Sequence, residues 1–375
     1  MRRDITLVNI SVFLWGAGDG LFLYIQPLHI EELGADPVQI GWLLGLMRLA
    51  AALIYLPSGY LSDRLPRKQL MLGGWGLGVV STLIFAIAKD WRLLIPGLVL
   101  YGLSAYSIPV VYAYLTAAVD GKGLESVFAR NMAAYMMGSV LFPFVGGLIA
   151  ESISMSSAYF AAAGVFGIST LVIAQITPQA PPENPTGMED WSSVFNRRFL
   201  GFVIAVLGVF LFLYLIFPLA SNFLADERGM GPASVGALGS VASIGAAVLL
   251  PLFGNLRGGW RRHALLIGHG LVWVAAALFV WTVGLFGASL SFMLRGAYSA
   301  CQSLVQARGS GLLGEPNRGL ALGAISTTVV LSQVAASAVA GWLYAFDPYW
   351  PFVAALCLIP VGALLTTRLP GGSQE

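Results

Sequence analysis

Charge is scarce in this chain. Of 375 residues, only 10% are Asp, Glu, Lys or Arg, while 57% are hydrophobic and the mean hydropathy is +0.80. A soluble domain carries about 25% charged residues. A chain this apolar cannot cover itself with polar surface, so lipid must solvate most of it, and the reading is an all-α integral membrane protein in a lipid bilayer. Cysteine is almost missing: Cys301 and Cys357 lie in apolar segments and read as small hydrophobes, not as a disulfide framework. His29, His263 and His269 are scattered along the chain, so no metal is expected. A net charge of +2 without a basic tract excludes nucleic acid as a partner. There is no phosphate-cradling glycine loop and so no visible way to hydrolyse ATP; no cofactor is expected, which leaves coupling to an ion gradient such as protons, or facilitated diffusion. Paired intramembrane acids or a histidine–acid pair, which an intramembrane enzyme needs, are absent, as is any polar segment long enough for a sensor's output domain.

What is present is a series of apolar runs. A membrane helix needs roughly 20 mostly apolar residues. Such runs fall at about 5–29, 38–61, 69–88, 93–118, 128–150 and 156–176, then at about 200–223, 232–254, 263–284, 286–307, 319–343 and 349–369. The polar, proline-rich stretch between them, TPQAPPENPTGMEDWSSVFNRR, reads as a linker. The expected organisation is therefore six spans in 1–177, a cytoplasmic linker at 178–198, and six spans in 199–375. The N-terminus has a basic start but no small-residue cleavage site, so it is read as a retained first span. With both termini in the cytoplasm of a cell-membrane protein, fifteen of the loop Lys and Arg residues fall inside and three outside.

The two halves share a pattern. Between spans 2 and 3 the chain reads SGYLSDRLPRKQL, and between spans 8 and 9 it reads PLFGNLRGGWRRH. Pro57 precedes the basic pair Arg67-Lys68 by ten positions, and Pro251 precedes Arg261-Arg262 by the same ten. That repetition argues for a duplicated six-helix unit in parallel orientation. The first loop, Gly59-x-Leu61-x-Asp63-Arg64-x-x-Arg67-Lys68, resembles the loop 2–3 signature of the major facilitator superfamily, with Pro66 in place of the usual second glycine. Span 5 carries Gly138-x-x-x-Phe142-Pro143-x-x-Gly146-Gly147, similar to a motif of the antiporter branches of that family, with Phe142 replacing one glycine.

The resemblance implies a fold of twelve transmembrane helices in two six-helix bundles. It also implies a secondary transporter that moves a small-molecule substrate by alternating access, through a cavity lined by spans 1, 4, 7 and 10. The span 5 motif points to proton-coupled efflux of a drug or metabolite. The basic residue that many proton-coupled members carry in span 4 is missing, which keeps open an uptake permease for an organic anion or sugar. A monomer is expected. Arg64, Arg67 and Lys68 read mainly as an orientation signal. Asp63 needs another explanation: by resemblance it accepts from the N-terminus of span 11 near Arg318 and Gly319, a latch of about 1–2 kcal/mol. Gly138, Gly146 and Gly147 allow close helix packing around Pro143.

Three charges lie well inside spans: Asp19, Arg48 and Arg295. Each costs roughly 2.5–3.5 kcal/mol at the bilayer centre, so a functional role is the default. At the ~1.5 Å helical rise, Asp19 lies ~21 Å in from the cytoplasmic end of span 1 and Arg48 ~15 Å in from the outer end of span 2. Two readings stand: the pair holds spans 1 and 2 together, or Asp19 takes up a proton or cationic substrate while Arg48 tunes it. Span 10 and its sequence neighbours carry no acid, so Arg295 suits a carboxylate or phosphate on the substrate, or else backbone carbonyls. Tyr24, Tyr101, Tyr106, Tyr112, Tyr114, Tyr214 and Tyr298 form a set that either lines a pocket or packs between helices. Gln26, Asn222, Gln302 and Gln333 are weaker polar candidates.

Overall fold

The computed structural model describes residues 2–62, 64–119, 123–179, 196–313 and 318–367, and every regular element among them is helical. Span 1 is α1 (Arg2–Phe22) followed by the short α2 (Gln26–Glu32). Spans 2 and 3 are α3 (Pro37–Ser62) and α4 (Arg67–Ile87). Span 4 is divided into α5 (Leu94–Ser104) and α6 (Ser107–Ala117), and spans 5 and 6 are α7 (Leu124–Ser152) and α8 (Met155–Ile173). In the second half, span 7 is α9 (Arg197–Tyr214) with α10 (Ala220–Arg228), and spans 8 and 9 are α11 (Pro232–Gly254) and α12 (Gly258–Trp281). Span 10 is α13 (Leu285–Arg295) and α14 (Ala297–Ser310); α15 (Arg318–Phe346) and α16 (Trp350–Thr367) finish the set. Eleven helical stretches are long and apolar enough to cross a membrane as they stand, and span 10, halved at Gly296, makes the twelfth.

The interruptions were not expected, and they have a local cause. They fall in spans 1, 4, 7 and 10, the first and fourth of each half, while the other eight spans run as single helices. A proline inside a helix cannot donate to the carbonyl four residues back, and its ring clashes there. Pro27, Pro109 and Pro218 sit just after three of the breaks, with their missing bonds at Leu23, Ala105 and Tyr214. The fourth break is at Gly296, and a Cβ there would overlap the backbone of Gly245 on α11. At each break the chain tightens into three-residue turns: Ile25 N–H donates to Phe22 O at 3.0 Å, Tyr106 N–H to Leu103 O at 3.1 Å, Phe217 N–H to Tyr214 O at 2.9 Å, and Gly296 N–H to Met293 O at 3.2 Å.

Two compact units account for the packing. One comprises Met1–Ala35, Leu49–Thr186 and Gly229–Ser240; the other comprises Asp36–Arg48, Gly187–Arg228 and Val241–Glu375. In the first unit, α1 packs along both α7 and α8. The Ser169 hydroxyl of α8 donates to Ser11 O at 2.7 Å and accepts from the Trp75 indole at 2.7 Å, tying α1, α4 and α8 together in a buried cluster. Ser169→Ala leaves the Trp75 N–H without its acceptor, a cost of about 1–3 kcal/mol, read as a lower thermal midpoint in detergent. In the second unit a ring cluster joins α10, α12 and α16: Phe279 stacks on Phe352 at 4.6 Å, and Phe223 lies 4.7 Å from Phe352.

Candidate functional site

In lipid, irregular backbone survives only where protein buries it or water lines it. Proline-interrupted spans at matching places in two halves are accordingly the best pointer to a transporter's binding site. The breaks carry sequence candidates. Tyr24 stands in the first and Tyr106 in the second, while Arg295 and Tyr298 flank the fourth.

In the first unit the centre is Asp19, only 5% exposed. The Tyr101 hydroxyl of α5 donates to its Oδ1, and the Tyr135 hydroxyl of α7 donates to its Oδ2 at 2.9 Å. One carboxylate thus gathers donors from spans 4 and 5. Behind it, Phe22 lies edge-on to Tyr101 at 5.4 Å and close to Tyr159 at 5.4 Å, which keeps that side apolar. Tyr24 is half-buried and packs on Gly239, where a Cβ would lie 2.5 Å from its ring. Tyr106 donates to Leu70 O at 2.8 Å, which fastens the span 4 break to span 3. Sequence reasoning missed Tyr135. The signal was its place one helical turn before Gly138, on the face α7 turns toward α1.

In the second unit the centre is Arg295, also 5% exposed. Its guanidinium carbon lies 4.2 Å over the Phe217 ring and 4.5 Å over the Phe292 ring, so the cation is held between two aromatic faces. Phe217 comes from the span 7 break and stacks on Tyr214 at 5.0 Å with an interplanar angle of 4°. Tyr298 lies 5.1 Å from Phe217 and 5.6 Å from Tyr214, and its hydroxyl accepts from Gln333 Nε2 at 2.9 Å. Arg48 is half-buried on α3, in a segment that belongs to the second unit, whereas Asp19 belongs to the first. Phe217 and Phe292 were not singled out in the sequence, since a phenylalanine in an apolar run carries no local signal.

The loop between spans 2 and 3 is described except for Asp63, which lies outside the described residues together with the side chains of Gly319 and Arg318. Gly59 stands in the last turns of α3 and Arg64 in the turn after it. Pro66 caps the start of α4, a position that needs no N–H, and Arg67 and Lys68 open that helix. Arg67 Nη1 donates to Gln179 Oε1 at 3.3 Å. A carboxylate on a helix N-terminus occurs elsewhere: Glu151, at the end of α7, accepts from Ala233 N–H at 2.8 Å in the first turn of α11. The span 5 motif packs tightly along α7. A Cβ at Gly138 would overlap Phe13 O, one at Gly146 would overlap Leu21 O, and one at Gly147 would overlap Pro232 O. Pro143 Cδ faces Gly20, where a Cβ would lie only 2.9 Å away.

The sequence profile of the Major Facilitator Superfamily matches residues 8–219 and 202–373. The chain belongs to this family. It is 24% identical to Multidrug resistance protein 1 of Bacillus subtilis over 388 aligned positions, covering 97% of this chain and 96% of that protein. It is 25% identical to Quinolone resistance protein NorA of Staphylococcus aureus over 261 positions, 68% of this chain and 66% of NorA. Among solved structures, the nucleoside transporter NupG superposes with a TM-score of 0.82 at 15% identity, covering 97% of this chain and 98% of that one. The human organic anion transporter MFSD10 does so with a TM-score of 0.66 at 19% identity, covering 97% and 99%. These likenesses fix the fold: an all-α, multi-pass membrane transporter of twelve helices in two six-helix bundles.

Proposed function

We propose that this transporter exports a small planar organic solute by alternating access in exchange for protons, that Asp19 carries the proton, and that Arg295 anchors the solute. Both termini lie in the cytoplasm and the chain works as a monomer. The observation that carries the reading is the Asp19 carboxylate, buried within span 1 and held by two tyrosine hydroxyls from spans 4 and 5. An ionised carboxylate accepts at both oxygens, whereas a protonated one must itself donate. Protonation therefore reverses or gives up one of the two tyrosine bonds, which couples the charge on α1 to the hydrogen bonding of α5 and α7. A contact change of this kind shifts an equilibrium between two conformations that differ by a few kcal/mol. The names of the bacterial relatives, one a multidrug and one a quinolone resistance protein, support export of an aromatic solute.

The burial of Arg295 between two rings favours a second reading, uptake of an organic anion. A pH gradient separates the two. In everted membrane vesicles containing the chain, an acidified lumen should drive accumulation of a fluorescent quinolone, and Asp19→Asn should abolish the dependence on the gradient. Accumulation that requires the opposite gradient supports uptake. Unchanged coupling in Asp19→Asn removes Asp19 from the mechanism.

A further inference from the structure

The Arg295 cluster contains a hydrogen-bonding pair whose capacity the protein does not use up. Gln333 of α15 is 8% exposed and Tyr298 of α14 is 6% exposed. Gln333 Nε2 donates to the Tyr298 hydroxyl, and that is the one side-chain hydrogen bond either of them makes among the described residues. Gln333 Oε1 is buried with no donor in reach. The Tyr298 hydroxyl, having accepted, still holds a proton to give. The neighbouring hydroxyls on α15 behave otherwise: Thr328, Ser332 and Ser337 each turn back to a carbonyl of their own helix, at 2.8 Å. Gln333 instead reaches across to Tyr298 of α14, which itself lies beside Tyr214 and Phe217, the latter being a ring under the Arg295 guanidinium. A buried polar atom without a partner costs free energy that a ligand can recover.

We propose that Tyr298 and Gln333 form a specificity site that reads the edge of a planar heterocycle bearing an N–H next to a C=O. The pair presents one donor and one acceptor side by side. Exchanging the amide oxygen and nitrogen of Gln333 keeps that count, because Tyr298 then donates to the amide oxygen, its own oxygen becomes the free acceptor, and the amide nitrogen becomes the free donor. A lactam or ureide edge complements the pair in both arrangements. The ring stacks in the aromatic company of Tyr214 and Phe217, and an oxygen on the far side of the ring meets Arg295. An ordinary aromatic carboxylate satisfies the arginine and the rings but leaves the pair unfilled.

The inference rests on reading Arg295 as the solute anchor, and the test keeps the two apart. Purified full-length protein in nanodiscs is titrated calorimetrically with three carboxylates: orotate, orotate methylated at both ring nitrogens, and benzoate. Orotate should bind at least about tenfold more tightly than its methylated form, because a buried pair built for hydrogen bonding rejects the analogue that lacks them. Tyr298→Phe, which keeps the ring, and Gln333→Leu should each erase that preference while retaining affinity for methylated orotate. Equal binding of orotate and its methylated form to the wild type overturns the specificity site and leaves the Arg295 reading standing. Failure of all three carboxylates to bind overturns the anchor reading and the specificity site with it. A preference that persists in both variants assigns the edge reading to other groups and overturns the proposal.

Discussion

Gly146→Leu should leave no folded protein in the membrane, the largest effect of any single change considered. Here α1 and α7 touch backbone to backbone, and any Cβ at Gly146 would overlap the Leu21 carbonyl. Nothing flexible can give way, since the obstruction is main chain on a neighbouring span. Lipid supplies no hydrophobic drive for helix association, so this close packing is itself what holds the two spans together. Gly138→Leu should fail for the same reason against Phe13 O. Gly76→Leu on α4 is the control, with open space around the added side chain. Fluorescence-detected size-exclusion of tagged chains checks all three: a monodisperse peak for Gly76→Leu and none for the other two. A normal peak for Gly146→Leu would mean that α1 and α7 can separate without loss of the fold.

Arg295→Met comes next in magnitude. Methionine can fill the slot between Phe217 and Phe292 with a similar volume, so the chain should still fold. What disappears is the buried cation proposed to meet the solute's oxygen. Truncating one side of a buried charged hydrogen bond costs about 2–5 kcal/mol, or roughly 30-fold or more in affinity. Arg295→Lys should recover little of it, because an ammonium neither stacks between two rings nor presents a planar fork. Titration of benzoate against the three proteins in nanodiscs measures this. Affinities within about threefold of one another would remove Arg295 from the binding site.

Much of the fold was legible because its cause is spread along the chain. Twelve apolar runs, the scarcity of charge and the duplicated loop each reflect what the bilayer demands of every residue in a span. The breaks in spans 1, 4, 7 and 10 were less visible, although Pro27, Pro109 and Pro218 stand in plain view. Hydropathy averages over them, and only the missing hydrogen bonds at Leu23, Ala105 and Tyr214 make them breaks. At the site, Asp19, Arg48 and Arg295 stood out as charges that cost energy where they lie. Their partners did not stand out. Tyr135 is one tyrosine among 13, and Phe217 and Phe292 are two phenylalanines among 21. Such residues acquire a role only when helices distant in sequence bring them against a charge. The same holds for Gln333, whose open amide oxygen is a property of its surroundings. Conversely, the loop 2–3 motif is legible in the sequence, and its Asp63 lies outside the described residues. A carboxylate of one span set on the N-terminus of another is seen at Glu151.

The central claim is that Asp19 takes and releases a proton within the membrane. It is the one acid well inside a span, so its carboxyl can be followed without a transported solute. Infrared difference spectra of the protein in lipid, recorded as the pH is lowered, carry bands from all 18 Asp and Glu side chains, so the spectra of Asp19→Asn are subtracted from those of the wild type. The remainder should show one protonated-carboxyl band accompanied by a change in tyrosine modes. Tyr135→Phe should keep the band and alter the tyrosine modes, since one of the two donating hydroxyls is gone. A remainder without such a band, over the whole range in which the fold is intact, would contradict the account.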